Sequence, residues 1–167
     1  MATELDYDRS LHDKEHEAGP FEVTESQIQA FSRGIAETTP IYTDPAAAKA
    51  QGFRAIVAPP TFCTIMVRQV SLSDINLKFN GAPMGGGMHA GQRVQSRAPI
   101  MAGDALTASS HLKDVYAKTG RSGTMVFIVW ETTFRNQDGT VVADVQESFV
   151  RRGEGFPSNR PVNLTND

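Results

Sequence analysis

The chain has 167 residues, of which 40% are hydrophobic and 21% are charged, and its formal net charge is −3 at pH 7. This length and composition fit one folded domain with a substantial core, and they argue against a disordered chain. The Lys and Arg residues are scattered along the sequence, so the basic patch that a nucleic-acid-binding protein needs is missing.

The single cysteine, Cys63, excludes an internal disulfide and a multi-cysteine metal site. No apolar run approaches the roughly 20 residues that a membrane-spanning helix requires. The N-terminal residues are too polar for a signal peptide. We therefore expect a soluble cytoplasmic protein with no membrane partner, no bound metal and no cofactor.

Residues 1–19 are rich in charged side chains and lack helical or alternating apolar spacing. They are interpreted as a polar N-terminal tail, or a strap over the surface, ahead of one domain at residues 20–152. His12 and His16 would share a face if this segment were helical. Because no third ligand is placed beside them, a solvated tail is favoured over a metal-binding pair.

Two helices are predicted at the start of the domain. Thr24 and Gln27 form a capping box, which opens a helix that ends near Glu37 because Pro40 follows shortly after. A short helix is predicted over residues 45–51, since a proline opens it and a glycine follows it.

A long helix is predicted after Pro59-Pro60. The residues at helical spacing are Phe62, Ile65, Met66, Gln69 and Val70, and Cys63 and Val67 widen the apolar arc. A helix that is apolar on most of its circumference is usually buried. Cys63 is interpreted as part of that apolar surface rather than as a nucleophile, because only the helix N-terminus is available to activate its thiol.

The rest of the chain is predicted to form strands. The alternation of side chains and the turn residues place them at residues 88–96, 105–118, 124–135 and 140–151, in a four-stranded antiparallel meander. Residues 125–130 are apolar on both faces, which is typical of a central strand. Residues 153–167 are interpreted as a C-terminal tail. The sequence thus predicts an α+β fold in which a curved antiparallel sheet wraps one long helix.

Several short motifs resemble the MaoC-like hydratase and dehydratase family, in particular its N-terminal, FAS1-like dehydratase type. The matching residues are Pro40, Ile41, Asp44, Ala47 or Ala48, Gly52-Phe53, Ile56, Ala58-Pro59-Pro60-Thr61-Phe62, Met88-His89-Ala90-Gly91-Gln92, Pro99 and Ala102-Gly103-Asp104. The resemblance implies a hot-dog fold. A dimer is expected from the predicted sheet itself, because an unpaired sheet edge favours strand pairing between two subunits or two repeats, and no internal repeat is visible.

The resemblance further implies addition of water to a trans-2-enoyl thioester, or its loss from a 3-hydroxyacyl thioester, on CoA or an acyl carrier. Family members use an aspartate and a histidine for proton transfer, and backbone N–H groups polarise the thioester carbonyl. Here Glu37 stands at the aspartate position and Tyr42 at the histidine position. A phenol is protonated at neutral pH and cannot take a proton from water as an imidazole does.

The predicted catalytic residues are therefore Glu37, Tyr42 and His89, each with a structural alternative. Glu37 is otherwise a solvated side chain at a helix end, where a carboxylate meets the unfavourable end of the helix dipole. Tyr42 is otherwise a packed side chain. His89 is otherwise held by a structural hydrogen bond. His111 is interpreted as a solvent-facing strand residue.

Substrate contacts are predicted at two places. Pro60 has no N–H group, so Thr61 or Phe62 would have to supply the backbone donor for the thioester. Gly86 and Gly87 precede a strand rather than a helix, which disfavours a phosphate-binding loop. They form either a mobile approach to the strand or a close backbone approach to the ligand.

Three functions remain open from the sequence. The first is a homodimeric hydratase or dehydratase with an altered site. The second is a binding subunit that holds the acyl thioester and pairs with a catalytic hot-dog subunit as a heterodimer, which the loss of the aspartate and histidine favours slightly. The third and weakest is an acyl-CoA thioesterase.

Overall fold

The computed structural model describes residues 4–121 and 123–152, and its main feature is a five-stranded antiparallel sheet. The strands lie in the order β2, β6, β7, β8 and β5. Their bounds are His16–Glu22 for β2, Met88–Ser96 for β5, Ala105–Gly120 for β6, Gly123–Arg135 for β7 and Val141–Arg152 for β8. The four predicted strands are therefore found within two residues of their predicted ends, and β7 holds the central place.

The predicted meander is wrong in one respect, because β5 pairs with β8 rather than with β6. The chain leaves β5 and crosses the end of the sheet before entering β6 on the far side of β7. Backbone hydrogen bonds hold this crossing, from Ala58 N to Ile100 O at 2.8 Å and from Ala102 N to Ile56 O at 3.0 Å. Neighbours in sequence usually pair, and these contacts override that tendency.

The predicted boundary at residue 20 falls inside β2, so the N-terminal tail needs correction for the described residues. β2 pairs with β6, and a small second sheet has the strand order β1 (Leu5–Asp6), β3 (Lys78–Phe79) and β4 (Ala82–Pro83). A 3₁₀ helix at Arg9–His12 buries Leu11. Strand pairing over long sequence separations orders this polar segment, which local spacing does not reveal. The predicted tail at residues 153–167 lies outside the described part of the chain.

Three short helices precede the second half of the molecule: α1 (Glu25–Gly34), α2 (Pro40–Thr43) and α3 (Pro45–Ala50). The capping box of α1 is confirmed, since Gln27 N donates to Thr24 Oγ1 and Thr24 N donates to Gln27 Oε1. Asp44 Oδ1 accepts a hydrogen bond from Ala46 N at 2.8 Å and so caps α3. The α1 helix ends three residues earlier than predicted, at Gly34.

The predicted long helix is wrong in length, because the only α-helical turn there among the described residues is α4 (Thr64–Val67). Turns of i to i−3 hydrogen bonds flank it, from Phe62 N to Pro59 O and from Val70 N to Val67 O. Two threonines and three β-branched aliphatic residues between positions 61 and 70 lower the helix propensity. The segment nevertheless occupies the predicted central position, with Phe62 and Met66 buried.

The inner face of the sheet carries two separate apolar clusters. The first forms where residues 56–70 pack on the sheet, and it includes Phe62 and Met66 from that segment with Leu106 and Phe134 from the sheet. The second forms where residues 72–84 pack on the sheet, and it includes Leu77 and Met84 from that segment with Ile128 and Trp130 from the sheet. Four buried polar residues form a diagonal line between the clusters: His16, Ser110, Thr132 and Glu147. We refer to these four residues as the polar diagonal.

His16, one of the four residues of the polar diagonal, also contacts the loop that covers the second cluster. Its Nδ1 lies 3.2 Å from Ser110 O, and its Nε2 accepts from Ser73 N at 3.2 Å. Its ring stands edge-on to Trp130, with 5.4 Å between the centroids. His16 is therefore part of the packed structure, and the predicted solvated position is wrong.

Candidate functional site

A groove of about 250 Å³ lies between α2, residues 57–60 and residues 96–100. Most of its lining is apolar, and Ala98 and Ala143 contribute small side chains. Tyr42, Ser96 and Arg97 add polar groups to the lining. A concave apolar surface with few polar groups is the usual form of a small-molecule site.

Hydrogen bonds from two directions fix α2 as one wall of the groove. The hydroxyl of Ser32, which is fully buried in α1, donates to Tyr42 O at 3.0 Å. The backbone N–H of Val57 donates to Ile41 O at 3.1 Å. Because these bonds involve main-chain atoms of α2, the side chains of Ile41 and Tyr42 remain available to line the groove.

Glu37 lies in the turn between α1 and α2 and bonds to its own neighbours. Its Oε1 accepts from Thr38 N at 2.8 Å and from Thr39 N at 2.7 Å. Hydrogen bonds from Thr39 and Thr38 lower the pKa of the Glu37 carboxyl. The carboxylate holds the turn that leads into α2, whereas the helix itself has no side-chain cap at its start. A carboxylate stabilised in this way is a weak proton acceptor.

A left-handed residue produces this turn. Ala36 has φ of 55°, and the reversal lets Glu37 N donate to Ser32 O at 2.8 Å. Such an arrangement closes a helix C-terminus, and glycine is the usual residue there. An alanine in this conformation stores about 1 kcal/mol of strain next to a candidate site.

Among the predicted substrate contacts, Pro60 lines the groove together with Tyr42. Phe62 does not, since it is fully buried and its ring stands edge-on to Phe31 with 5.5 Å between centroids. The N–H of Phe62 donates to Pro59 O. Within residues 4–121 and 123–152, no acceptor is recorded for the N–H of the exposed Thr61. Thr61 is therefore the available backbone donor beside the groove.

The other predicted site residues lie at the opposite end of β5. His89 is seven residues from Ser96, which lines the groove, so the two are roughly 23 Å apart along an extended strand. Gly86 and Gly87 precede β5 and lie further still from the groove. One subunit therefore does not bring His89, Gly86 or Gly87 together with Tyr42.

Sequence reasoning missed Glu147, which lies next to His89. Its side chain is 7% exposed, and Oε1 lies 3.5 Å from His89 Nε2. The same oxygen accepts from Gln92 Nε2 at 3.2 Å. A signal was present in the sequence, because Glu147 falls between Val145 and Phe149 on the inward face of an alternating strand. A charged residue at such a position requires a partner.

Cys63 is fully buried, and burial raises the pKa of its thiol to about 11. The predicted role as apolar packing is consistent with this environment. At pH 8 the thiolate fraction falls about 100-fold relative to a thiol of ordinary pKa, because each unit of pKa changes it tenfold. We expect iodoacetamide to label Cys63 at least tenfold more slowly in the native protein than in urea. Equal rates in the two states would contradict the buried position.

No helix in the ranges 4–121 and 123–152 combines the length and the apolar character needed to cross a membrane. Within the same residues, no group of three or more His, Cys, Asp or Glu side chains is arranged to hold a metal ion.

A comparison with known protein families identifies the family of this chain. A family model described as the FAS1-like dehydratase domain region matches residues 12–145. The chain belongs to this FAS1-like dehydratase family. A UPF0336 protein of Parafrankia sp. is 32% identical over 142 residues, which cover 83% of this chain and 89% of the relative.

Solved structures show that this FAS1-like dehydratase domain has the hot-dog fold. A C-terminally truncated HadBC complex, a 3R-hydroxyacyl-ACP dehydratase of Mycobacterium tuberculosis, matches with a TM-score of 0.65 and 24% identity. The alignment covers 89% of this chain and 95% of the matched chain. The R-hydratase PhaJ1 of Pseudomonas aeruginosa matches with a TM-score of 0.59 and 17% identity, covering 90% and 89%. The predicted α+β hot-dog fold is confirmed.

Proposed function

We propose that this chain is an acyl-thioester-binding subunit of a hot-dog enzyme that hydrates trans-2-enoyl thioesters or dehydrates 3-hydroxyacyl thioesters. The apolar groove would hold the acyl chain, and the free N–H of Thr61 would polarise the thioester carbonyl. Membership of the FAS1-like dehydratase family and the likeness to a dehydratase and a hydratase support this reaction class.

A dimer of hot-dogs forms part of the proposal. β5 is an edge strand of the five-stranded sheet, and Met88 on it is 61% exposed. An exposed edge offers unpaired N–H and C=O groups to a second chain. Antiparallel pairing through β5 would join the sheets of two subunits. The partner would be a second copy or a different hot-dog subunit, as in the heteromeric HadBC complex.

The environment of Glu37 carries the assignment of a binding role. Its carboxylate is bonded to the turn that starts α2, and its pKa is lowered by those bonds. Tyr42 lines the groove but offers a phenol where the family has an imidazole. Neither group is suited to take a proton from water. The proton acceptor therefore comes from outside this region, on the facing subunit.

The test is turnover of the purified chain with trans-2-enoyl-CoAs of four to ten carbons, followed by loss of enoyl absorbance, together with direct binding of saturated octanoyl-CoA. We expect octanoyl-CoA to bind. We expect Glu37→Gln to change kcat less than threefold in any active assembly, whereas loss of a general base costs about 10²- to 10⁴-fold. A large fall in kcat with unchanged thermal stability would restore Glu37 as the base.

Two results would contradict the proposal as a whole. One is the absence of octanoyl-CoA binding in every assembly, including one reconstituted with a hot-dog subunit that has the aspartate and histidine. The other is release of free thiol from octanoyl-CoA at a rate that exceeds hydration, which would assign the chain to the thioesterases.

A further inference from the structure

The acyl-thioester-binding role of the groove does not involve the pair formed by His89 and Glu147. Glu147 is one of the few charged side chains that the sheet buries, and its Oε1 lies 3.5 Å from His89 Nε2. His89 is 36% exposed in its side chain, so one edge of the imidazole reaches the surface. The ring of Phe149 stands edge-on to the imidazole, with 5.5 Å between the centroids.

This arrangement determines which nitrogen is free to react. A carboxylate oxygen 3.5 Å from Nε2 favours a proton on that nitrogen, because the negative charge stabilises an N–H there. The lone pair of the neutral ring is left on Nδ1, on the side away from Glu147. A buried carboxyl group that orients an imidazole while the second nitrogen faces outward is the arrangement of a general base.

The position of the pair on β5 decides which groove it can serve. His89 is at the N-terminal end of the strand, and Ser96, which lines the groove, is at the C-terminal end. If two β5 strands pair antiparallel along their whole length, residue 89 of one lies opposite residues 95 and 96 of the other. Strands in such a ladder are about 5 Å apart.

Side-chain direction is compatible with this placement. The local two-fold axis of an antiparallel strand pair is perpendicular to the sheet, so the inner faces of both subunits point the same way. His89 and Ser96 both lie on the inner face, where they pair with Phe149 and Ala143 of β8. His89 of one subunit therefore faces the groove of the other rather than its own.

We infer that His89, oriented by Glu147, is the proton acceptor for the groove of the facing subunit; the inference rests on the proposed function. In hydration, Nδ1 takes a proton from water as the water oxygen bonds to C3 of the enoyl thioester. The π electrons of the C2–C3 bond move to form the enolate, whose oxygen accepts from the backbone donor. C2 then takes the proton from Nδ1–H, which restores the neutral imidazole and completes the addition of one water. His89 is thus a catalytic residue and Glu147 a positioning residue.

A purely structural role for Glu147 is the competing explanation. Its Oε1 also accepts from Gln92 Nε2 at 3.2 Å, a bond that ties β5 to β8 whatever His89 does. Two further charged groups lie at this end of the sheet, Arg151 and Asp74, which are 3.8 Å apart. The experiment must therefore separate loss of the strand contact from loss of imidazole orientation.

The first experiment measures kcat, KM and melting temperature with crotonyl-CoA for the purified full chain. We expect His89→Ala to lower kcat about 10²- to 10⁴-fold with little change in KM, and added imidazole to restore part of the rate. Glu147→Gln, which keeps an oxygen acceptor for Gln92, should lower kcat at least tenfold at unchanged melting temperature. Gln92→Met tests the strand contact and should lower kcat less than threefold. His111→Ala, on the outer face, is the control for loss of a histidine.

The second experiment tests whether His89 acts across the subunit boundary. A chain with His89→Ala is mixed with a chain whose groove is filled by Ala98→Phe, and the subunits are allowed to exchange. Random exchange makes half of the dimers mixed, and each has one complete site, so about a quarter of the wild-type activity should return. Activity can return in a mixed dimer only if the intact groove of one chain is served by the intact His89 of the other chain.

Three results would overturn the inference. One is an unmixed wild-type chain without measurable hydration, which leaves the binding-subunit function intact because octanoyl-CoA would still bind. The second is a His89→Ala variant with kcat within threefold of wild type, or a Gln92→Met variant that loses as much as Glu147→Gln. The third is failure of the two inactive chains to complement each other after exchange.

Discussion

Replacing Ala98 with phenylalanine should weaken binding of octanoyl-CoA about 100-fold or more. Ala98 is half-buried in the groove, whose volume is about 250 Å³. A phenyl ring there displaces about four methylene groups of an acyl chain, and each buried methylene contributes about 0.8 kcal/mol. The expected loss is therefore about 3 kcal/mol. Isothermal titration calorimetry with octanoyl-CoA and with acetyl-CoA measures it, and acetyl-CoA should be affected much less.

The matched control places the same side chain away from the groove. Ala30 is exposed on α1, and Ala30→Phe should leave octanoyl-CoA binding within threefold of wild type. Melting temperatures of both variants report any damage to the fold. An Ala98→Phe protein that is folded and binds octanoyl-CoA within fivefold of wild type would show that the acyl chain lies elsewhere.

The largest loss of stability is expected from Asp104→Ala. Asp104 is 1% exposed and holds the turn that leads from the crossing segment into β6. Its carboxylate accepts from Met101 N at 2.7 Å and from Gln137 Nε2 at 3.1 Å, and it forms an ion pair with Arg54. Removing it leaves the partly buried N–H of Met101 without that acceptor and breaks the ion pair, and we expect a loss of about 3 kcal/mol in the free energy of unfolding.

Urea unfolding followed by circular dichroism measures this effect. Asp138 lies exposed in the turn between β7 and β8, and Asp138→Ala should change the free energy of unfolding by about 0.5 kcal/mol at most. Arg54→Met should have an intermediate effect, because the Arg54 side chain is 47% exposed and solvent screens its charge. An Asp104→Ala loss below about 1 kcal/mol would mean that the turn is held by other contacts.

The sequence was most informative about elements that are decided locally. The strand at Met88–Ser96 was predicted with its observed bounds, and the capping box of Thr24 and Gln27 was found as expected. Alternation of side chains and capping chemistry act over a few residues, so they can be read directly. Together these patterns predict a curved sheet around a helix, which is the hot-dog arrangement that the family resemblance also implies.

The sequence was least informative where distant segments meet. His16 was placed in a tail because its partner Ser110 lies 94 residues away. The apolar arc after Pro60 predicts a longer helix than α4, because the arc indicates burial whereas the β-branched residues within it favour other conformations. Glu147 was overlooked as a partner of the edge strand because Gln92, which bonds to it, is 55 residues earlier.

At the candidate site, the types of side chain could be predicted from the sequence, but their arrangement in space could not. The positions of Glu37 and Tyr42 could be aligned with the family pattern, yet the bonding of the Glu37 carboxylate to its own turn depends on the reversal at Ala36. A left-handed alanine is rare enough that sequence propensities do not predict it. The separation of His89 from the groove follows from the length of β5, and it becomes meaningful only when a second subunit is considered.

The polar diagonal has a consequence for how the molecule opens. Hydrogen bonds of His16 and Ser73 tether the cover of the second cluster, whereas the first cluster is enclosed by residues 56–70. The two compartments meet at Leu72, which packs against both clusters, and such compartments can exchange their amide hydrogens at different rates, as separate cooperative units. We therefore expect the cover formed by residues 72–84 to open away from Trp130 and Ile128 while the groove, built on the other compartment, keeps its shape.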